Sequence, residues 1–166
     1  MNKKEYEKLS QECYESAVKR GFYGDDYTAD DMSLDIIREC IEFIDALEDG
    51  LHRDKLDYFL FQGLPDHVFC HLYANSYHNT IGDELADIYI CALSASVFVD
   101  QEIVPGYCCD SFIKDVKGRV LEVVECAAAE YDCNDIISNI IEVAEMLKID
   151  IEKALECKMR FNRLRV

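Results

Sequence analysis

The chain has 166 residues, half of them apolar, which is enough for one domain with a core of its own and short of two. Its 34 acidic against 17 basic residues give a formal charge of -17, so the surface as a whole repels a nucleic-acid backbone and an anionic lipid headgroup. No run reaches the roughly 18 uninterrupted apolar residues of a membrane helix.

Two prolines and seven glycines in the whole chain, with apolar residues recurring at helical rather than strand spacing, predict a nearly all-helical protein. A first helix is expected from about Lys4 to Arg20. A loop rich in glycine, aspartate and aromatics follows from Gly21 to Asp31, so residues 1–32 form an N-terminal helix and loop. Ser33 is a fair N-cap for a second helix reaching about Glu48.

The stretch from Gly50 to Thr80 is less regular, with Gly63-Leu64-Pro65, many aromatics and all four histidines. It is expected as short helical pieces and loop, a candidate lid inserted between the helices on either side. A third helix runs from near Ile81 to about Val99, and Pro105-Gly106 marks the connection to a fourth over about Ser111 to Tyr131. Asn134 can cap a fifth to about Leu147, and Asp150 a last one reaching Arg163 or beyond. No repeat, linker or low-complexity segment divides the chain, and residues 1–166 are read as one domain.

Nine cysteines are scattered without a CxxC pair, only Cys108 and Cys109 are adjacent, and the stretch MNKKEYEKLSQE has no apolar h-region. The expectation is a soluble, cytoplasmic protein with reduced thiols packed in its core.

Two pairs of carboxylates stand out, Glu39 with Glu42 on the second helix and Glu84 with Asp87 on the third, each spaced i and i+3. That spacing puts both acids of a pair on one helix face. If the two helices pack antiparallel, four carboxylates can converge and supply the oxygen ligands that magnesium prefers.

On a wheel of about 100° per residue, Asp35, Arg38, Glu39, Glu42 and Asp45 fill one half of the second helix. Taken alone, Glu39 and Glu42 therefore read first as an ordinary solvated face. The third helix differs, because after Asp83 its apolar residues cover every direction, and Glu84 and Asp87 are acids set into an apolar rod. Such acids call for a cation or several donors. A first-turn placement favoured by the helix dipole competes as an explanation, less so for Asp87, which lies past that turn.

The segment KMRFNRLRV at 158–166 holds Lys158, Arg160, Arg163 and Arg165 with no acid. Lys158, Asn162 and Arg165 fall at i, i+4 and i+7 on one face, where two cations and an amide can grip phosphate oxygens or a base edge. The preference of cations for a helix C-terminus accounts for the same charges equally well.

Taken together, Glu39xxGlu42, Glu84xxAsp87 and the closing Lys158, Phe161, Asn162 and Arg165 resemble the MazG-like superfamily of all-helical nucleoside triphosphate pyrophosphatases. The resemblance spans roughly Ser33 to Arg165 and is strongest around 84–90 and 152–165. It implies an all-α helical bundle completed by oligomerisation, as a homodimer or homotetramer. It also implies hydrolysis of a ribo- or deoxyribonucleoside triphosphate to monophosphate and pyrophosphate, with magnesium, or manganese in its place, held by Glu39, Glu42, Glu84 and Asp87. Lys158 and Arg165 would stabilise phosphate charge, Asn162 would orient the nucleotide, and one glutamate would act as base toward water.

A di-iron bundle wants Glu-x-x-His, which neither acid pair supplies. His67, Cys70 and His71 hint at zinc, but no fourth ligand stands at a recognisable spacing, and partly exposed lid histidines are the plainer account. The serious alternative is a non-catalytic helical dimerisation or regulatory module that binds a nucleotide or a protein. Retention of all four acids and the C-terminal trio favours the enzyme. The third helix, apolar on every side, is a further reason to expect a second copy to cover it.

Overall fold

The computed structural model describes residues 1–51, 61–108, 113–129 and 132–165. Within them the chain forms α1 (Lys3–Lys19), α2 (Ala29–Glu48), α3 (Asp66–Ser76), α4 (Ile81–Phe98), α5 (Val116–Ala129), α6 (Cys133–Leu147) and α7 (Ile151–Leu164), with no strand among the described residues. The all-helical expectation holds, and none of these helices is long and apolar enough to cross a membrane.

Local chemistry sets the helix starts. Asn2 accepts from the Glu5 amide at 3.1 Å while the Glu5 carboxylate accepts from the Asn2 amide at 2.6 Å, a reciprocal capping box. The second helix begins at Ala29, four residues before the expected Ser33 cap, because Thr28 and Asp31 make the same exchange. Asp132, two residues before the expected Asn134, caps α6. Asn134 is engaged elsewhere, accepting from the Val104 amide at 2.8 Å and donating to the Glu102 carbonyl at 3.1 Å, which ties the connection after α4 to the start of α6. Residues 111, 112, 130 and 131 of the expected fourth helix lie outside the described residues; α5 covers Val116–Ala129.

Helix α4 is the axis of the fold, packed against α1, α2, α6 and α7, with α5 bridging α2 and α6. Leu85, Ile88, Tyr89, Ala92 and Leu93 are buried among Ile36, Cys40 and Phe43 of α2 and Ile136 and Ile140 of α6 in one core cluster. Four helices of the same chain thus surround a helix that reads in the sequence as apolar on every side.

In the described part of the segment expected as short helical pieces and loop, one helix forms. Helix α3 lies on α7, where Phe61, Phe69, Tyr73, Tyr77, Cys157 and Phe161 form a second, aromatic core. Arg160 of α7 staples it by donating to the Phe61 carbonyl at 3.0 Å and the Leu64 carbonyl at 2.6 Å and by pairing with Asp66 at 2.7 Å. Residues 52–60 of the segment lie outside the described residues.

Arg119 fixes α5 on α6. Its guanidinium is almost wholly buried, pairs with Glu142 and, at 3.2 Å, with Glu122, and donates to the Asn139 side chain at 3.0 Å. Arg119→Ala strips two part-buried carboxylates of their cation and is expected to lower unfolding free energy by about 2–4 kcal/mol. Urea unfolding checks this, and a change under about 1 kcal/mol would show that water substitutes for the guanidinium.

Candidate functional site

The amphipathic register of α2 buries Met32, Ile36, Cys40 and Phe43 and leaves Glu39 and Glu42 at the edge of its polar half. That edge runs beside the N-terminal turn of α4, which carries Glu84. One carboxylate oxygen from each of Glu39, Glu42 and Glu84 lies within 4.8 Å of the others. Glu42 is exposed, Glu39 half-buried and Glu84 buried. Glu39 and Glu42 are thus part of a convergent cluster, not only of a solvated face.

Asp87, the fourth acid, is engaged differently. Its carboxylate meets the ammonium of Lys158 on α7, and that ammonium also lies 2.9 Å from Asp83. Lys158 is 4% exposed and Asp83 fully buried. Asp83 in turn accepts from the Tyr73 hydroxyl and, at 2.9 Å, from the Asn79 amide, so one buried acid ties α3, the turn before α4, and α7 together. Asp83 escaped the reading of the sequence, which took it as the boundary of an apolar helix. Its signal was the i, i+4 spacing to Asp87, which puts both on one face. The phosphate-gripping Lys158 implied by the resemblance is, in the structure, the counter-ion of two carboxylates.

These groups open onto a cavity of about 270 Å³, lined among others by Glu39, Glu42, Glu84, Asp87, Lys158, Asn162 and Arg165. All seven residues singled out in the sequence therefore meet at one place. Asn162 is 3% exposed, and its side-chain oxygen is buried without a hydrogen-bond partner. The cavity wall also includes Arg20 and Phe22 from the end of α1, Arg38 of α2, and His78 and Asn79 from the turn before α4. Nothing in the spacing of the sequence brought the α1 end to this site. His67 and His71 are exposed on α3, and among the described residues they join no group of three metal-ligating atoms.

Crowding leaves an electrostatic mark. Burial, followed by the charges of Asp87, Glu42 and Glu84, pushes the Glu39 carboxyl up to about 8. Burial, followed by Asp83 and Asp87, pushes Glu84 up to about 7. Burial also raises Asp87, against the opposing pull of Lys158. At Lys158 burial acts to remove the proton, but Asp87 and Asp83 outweigh it and hold the ammonium above its ordinary value. The pair is therefore ionic near neutral pH, while Glu39 and Glu84 hold their protons into the neutral range because burial and the neighbouring carboxylates outweigh the pull of Lys158.

The stability consequence has a definite sign. Glu39 and Glu84 have ordinary values of 4.5 and raised values in the fold, so their contribution is fully present below about pH 4.5 and is lost as pH rises through about 7 to 8. In chelator, the melting temperature of the wild type is expected to fall across that window, and Glu39→Gln/Glu84→Gln to fall less. Parallel curves for the two proteins, read by calorimetry, would show that the trio is not under electrostatic stress.

No family model matches the chain, and no curated protein or solved structure matches it; the chemistry of this site rests on its own geometry.

Proposed function

We propose that the chain hydrolyses a nucleoside triphosphate to the monophosphate and pyrophosphate with the help of a divalent cation. The observation that carries this is the convergence of Glu39, Glu42 and Glu84, from two helices, on the wall of a cavity that also holds an unpartnered Asn162 oxygen and the Arg165 side chain. The resemblance of the same residues to the MazG-like pattern supplies the reaction class.

The trio suits magnesium or manganese. Its donors are hard carboxylate oxygens, and the upward push on Glu39 and Glu84 is the stress that a bound cation relieves. Glu39, Glu42 and Glu84 would hold the ion, with Asp87 beside them and shared with Lys158. What a divalent cation supplies at such a site is Lewis acidity toward phosphate oxygens and a more acidic water.

The protein's own side chains have separable tasks. A carboxylate of the trio accepts a proton from the attacking water. Water adds to the α phosphorus, the bond to the bridging oxygen breaks, and pyrophosphate departs with that oxygen. Arg165 balances phosphate charge as it shifts toward the leaving group. The Asn162 oxygen accepts from a donor on the base or sugar and so fixes the nucleotide's orientation. Lys158, paired with Asp83 and Asp87, acts as a positioning residue: it holds α7, and with it Asn162 and Arg165, over the carboxylates. A homodimer or homotetramer belongs to the same proposal through the resemblance, and light scattering at micromolar concentration tests it.

Incubation with a panel of ribo- and deoxyribonucleoside triphosphates is expected to give monophosphate and pyrophosphate in magnesium and nothing in chelator. Glu84→Ala is expected to lose about 100-fold or more in turnover, the several kcal/mol of charge stabilisation that goes with a lost metal. Magnesium is also expected to raise the melting temperature of the wild type more at pH 8.5 than at pH 6, where protons compete for the trio. No turnover of any triphosphate by a folded protein would overturn the hydrolase and favour a binding module; diphosphate and free phosphate would mean that a different bond is cut.

A further inference from the structure

Two arginines reach the cavity from helix ends that are far apart in the sequence. Arg20 is the C-cap of α1 and Arg165 the C-cap of α7. After Arg20 the chain turns through Gly21, whose φ of +78° is a left-handed conformation open to glycine, and the Phe22 amide donates back to the Ala17 carbonyl at 3.2 Å. That reversal brings the Phe22 ring to 4.6 Å from the Arg20 guanidinium carbon. On α7 the ring of Phe161, one turn earlier, lies 5.0 Å from the guanidinium carbon of Arg165. A guanidinium stacked on a ring has a face covered and its in-plane N–H donors left free, the form in which arginine grips oxyanions.

Their lack of partners is informative in so acidic a chain. Arg38, Arg119 and Arg160 each sit on a carboxylate, and Arg163, which has none among the described residues, is exposed outside the cavity wall. Among the described residues, neither Arg20 nor Arg165 has a carboxylate oxygen within 4.0 Å or a side-chain hydrogen bond. The helix dipole favours a cation at each of these C-terminal ends, but it does not require both to converge on one cavity. Their proximity carries an electrostatic cost: burial and the neighbouring Arg165 charge hold Arg20 below the ordinary arginine range, with Asp87 acting the other way.

We propose that Arg20 and Arg165 form a two-arginine clamp for a phosphate-class dianion, built from opposite ends of the chain on the wall of the carboxylate cavity. The assignment of its occupant as the pyrophosphate end of a triphosphate rests on the hydrolase proposed above; the clamp itself does not. Arg20 and Phe22 lie before Ser33, outside the stretch that resembles the MazG-like family, so this half of the clamp is a feature of this chain's own N-terminal helix. An anion between the two guanidiniums relieves their repulsion and gives each the charged hydrogen bonds it lacks.

The test is calorimetric titration of the full chain with inorganic pyrophosphate in chelator, so that no metal contributes. The wild type is expected to bind, Arg20→Ala and Arg165→Ala each to weaken binding about 10-fold or more, and Arg163→Ala, an exposed cation on the same helix outside the cavity wall, to stay within about 2-fold. Arg20→Lys keeps the charge and the helix end while losing the planar fork. It serves if the alanine variant unfolds, and is expected to weaken binding about 3-fold or more. Wild-type affinity in Arg20→Ala, an equal loss in Arg163→Ala, or no pyrophosphate binding by the wild type at millimolar concentration would each overturn the clamp. Arg20-dependent pyrophosphate binding in a protein that turns over no triphosphate would retain the clamp and retire the hydrolase. Turnover with unchanged pyrophosphate affinity in Arg20→Ala would do the reverse.

Discussion

The ammonium of Lys158, buried between Asp83 and Asp87, is the constraint on which the arrangement of this molecule turns. A charge in a protein interior persists only when it is paired and its partners are themselves satisfied. Here the pairing draws on three helices at once, since Asp83 also accepts from Tyr73 of α3 and from the backbone of the turn at Asn79. The aromatic core between α3 and α7 closes over that cluster, with Tyr73 stacked 4.4 Å from Phe161. Burial of the rings lowers the local dielectric and strengthens the ion pairs, and the ion pairs fix the axial position at which the rings meet.

That cluster explains how one helix turn serves two different tasks. Successive residues of a helix point about 100° apart, so Asp83 and Glu84 cannot face the same neighbour. Asp83, with Asp87 one turn later, faces α7 and its lysine; Glu84 faces α2 and the two glutamates there. The tripeptide Asp83-Glu84-Leu85 therefore spends one acid on structure, one on the cavity and one apolar side chain on the core. Gly82, just before it, is small for a reason of its own: a Cβ there would stand 2.5 Å from the Tyr77 hydroxyl, so the ring that flanks the cluster needs the space.

The helices are legible in the sequence because they depend on neighbours within a turn, whereas of the expected caps Asp150 holds its place and Ser33 and Asn134 yield to Thr28 and Asp132. The sequence also made the acid pairs legible, because i, i+3 spacing on an apolar helix is a local pattern with a physical cost. What it left out depends on tertiary approach. Lys158 reads as a free cation until α7 is docked, and only then becomes a counter-ion. Asp83 reads as a boundary residue until Tyr73 arrives from α3. The apolar girth of α4 reads as a surface in want of cover until the packing puts α1, α2, α6 and α7 around it. Periodicity states that a face must be covered and is silent on what covers it.

The distribution of charge follows from the same division between local and tertiary effects. With twice as many acids as bases, the chain can hold an anion only where its cations are gathered and its carboxylates are kept occupied. Lys158 occupies Asp87 and Asp83, and the cavity's carboxylate trio is the one cluster of three ligand atoms among the described residues. The C-terminal ends of α1 and α7 supply Arg20 and Arg165, each stacked on a ring of its own helix end and neither spent on an acid. A wall of carboxylates and a pair of arginines then share one cavity of about 270 Å³. In so acidic a protein the two groups depend on each other: uncompensated carboxylates weaken, without abolishing, the arginines' hold on a phosphate, and the arginines weaken the carboxylates' hold on a divalent ion, so each ligand binds most tightly when the other is present.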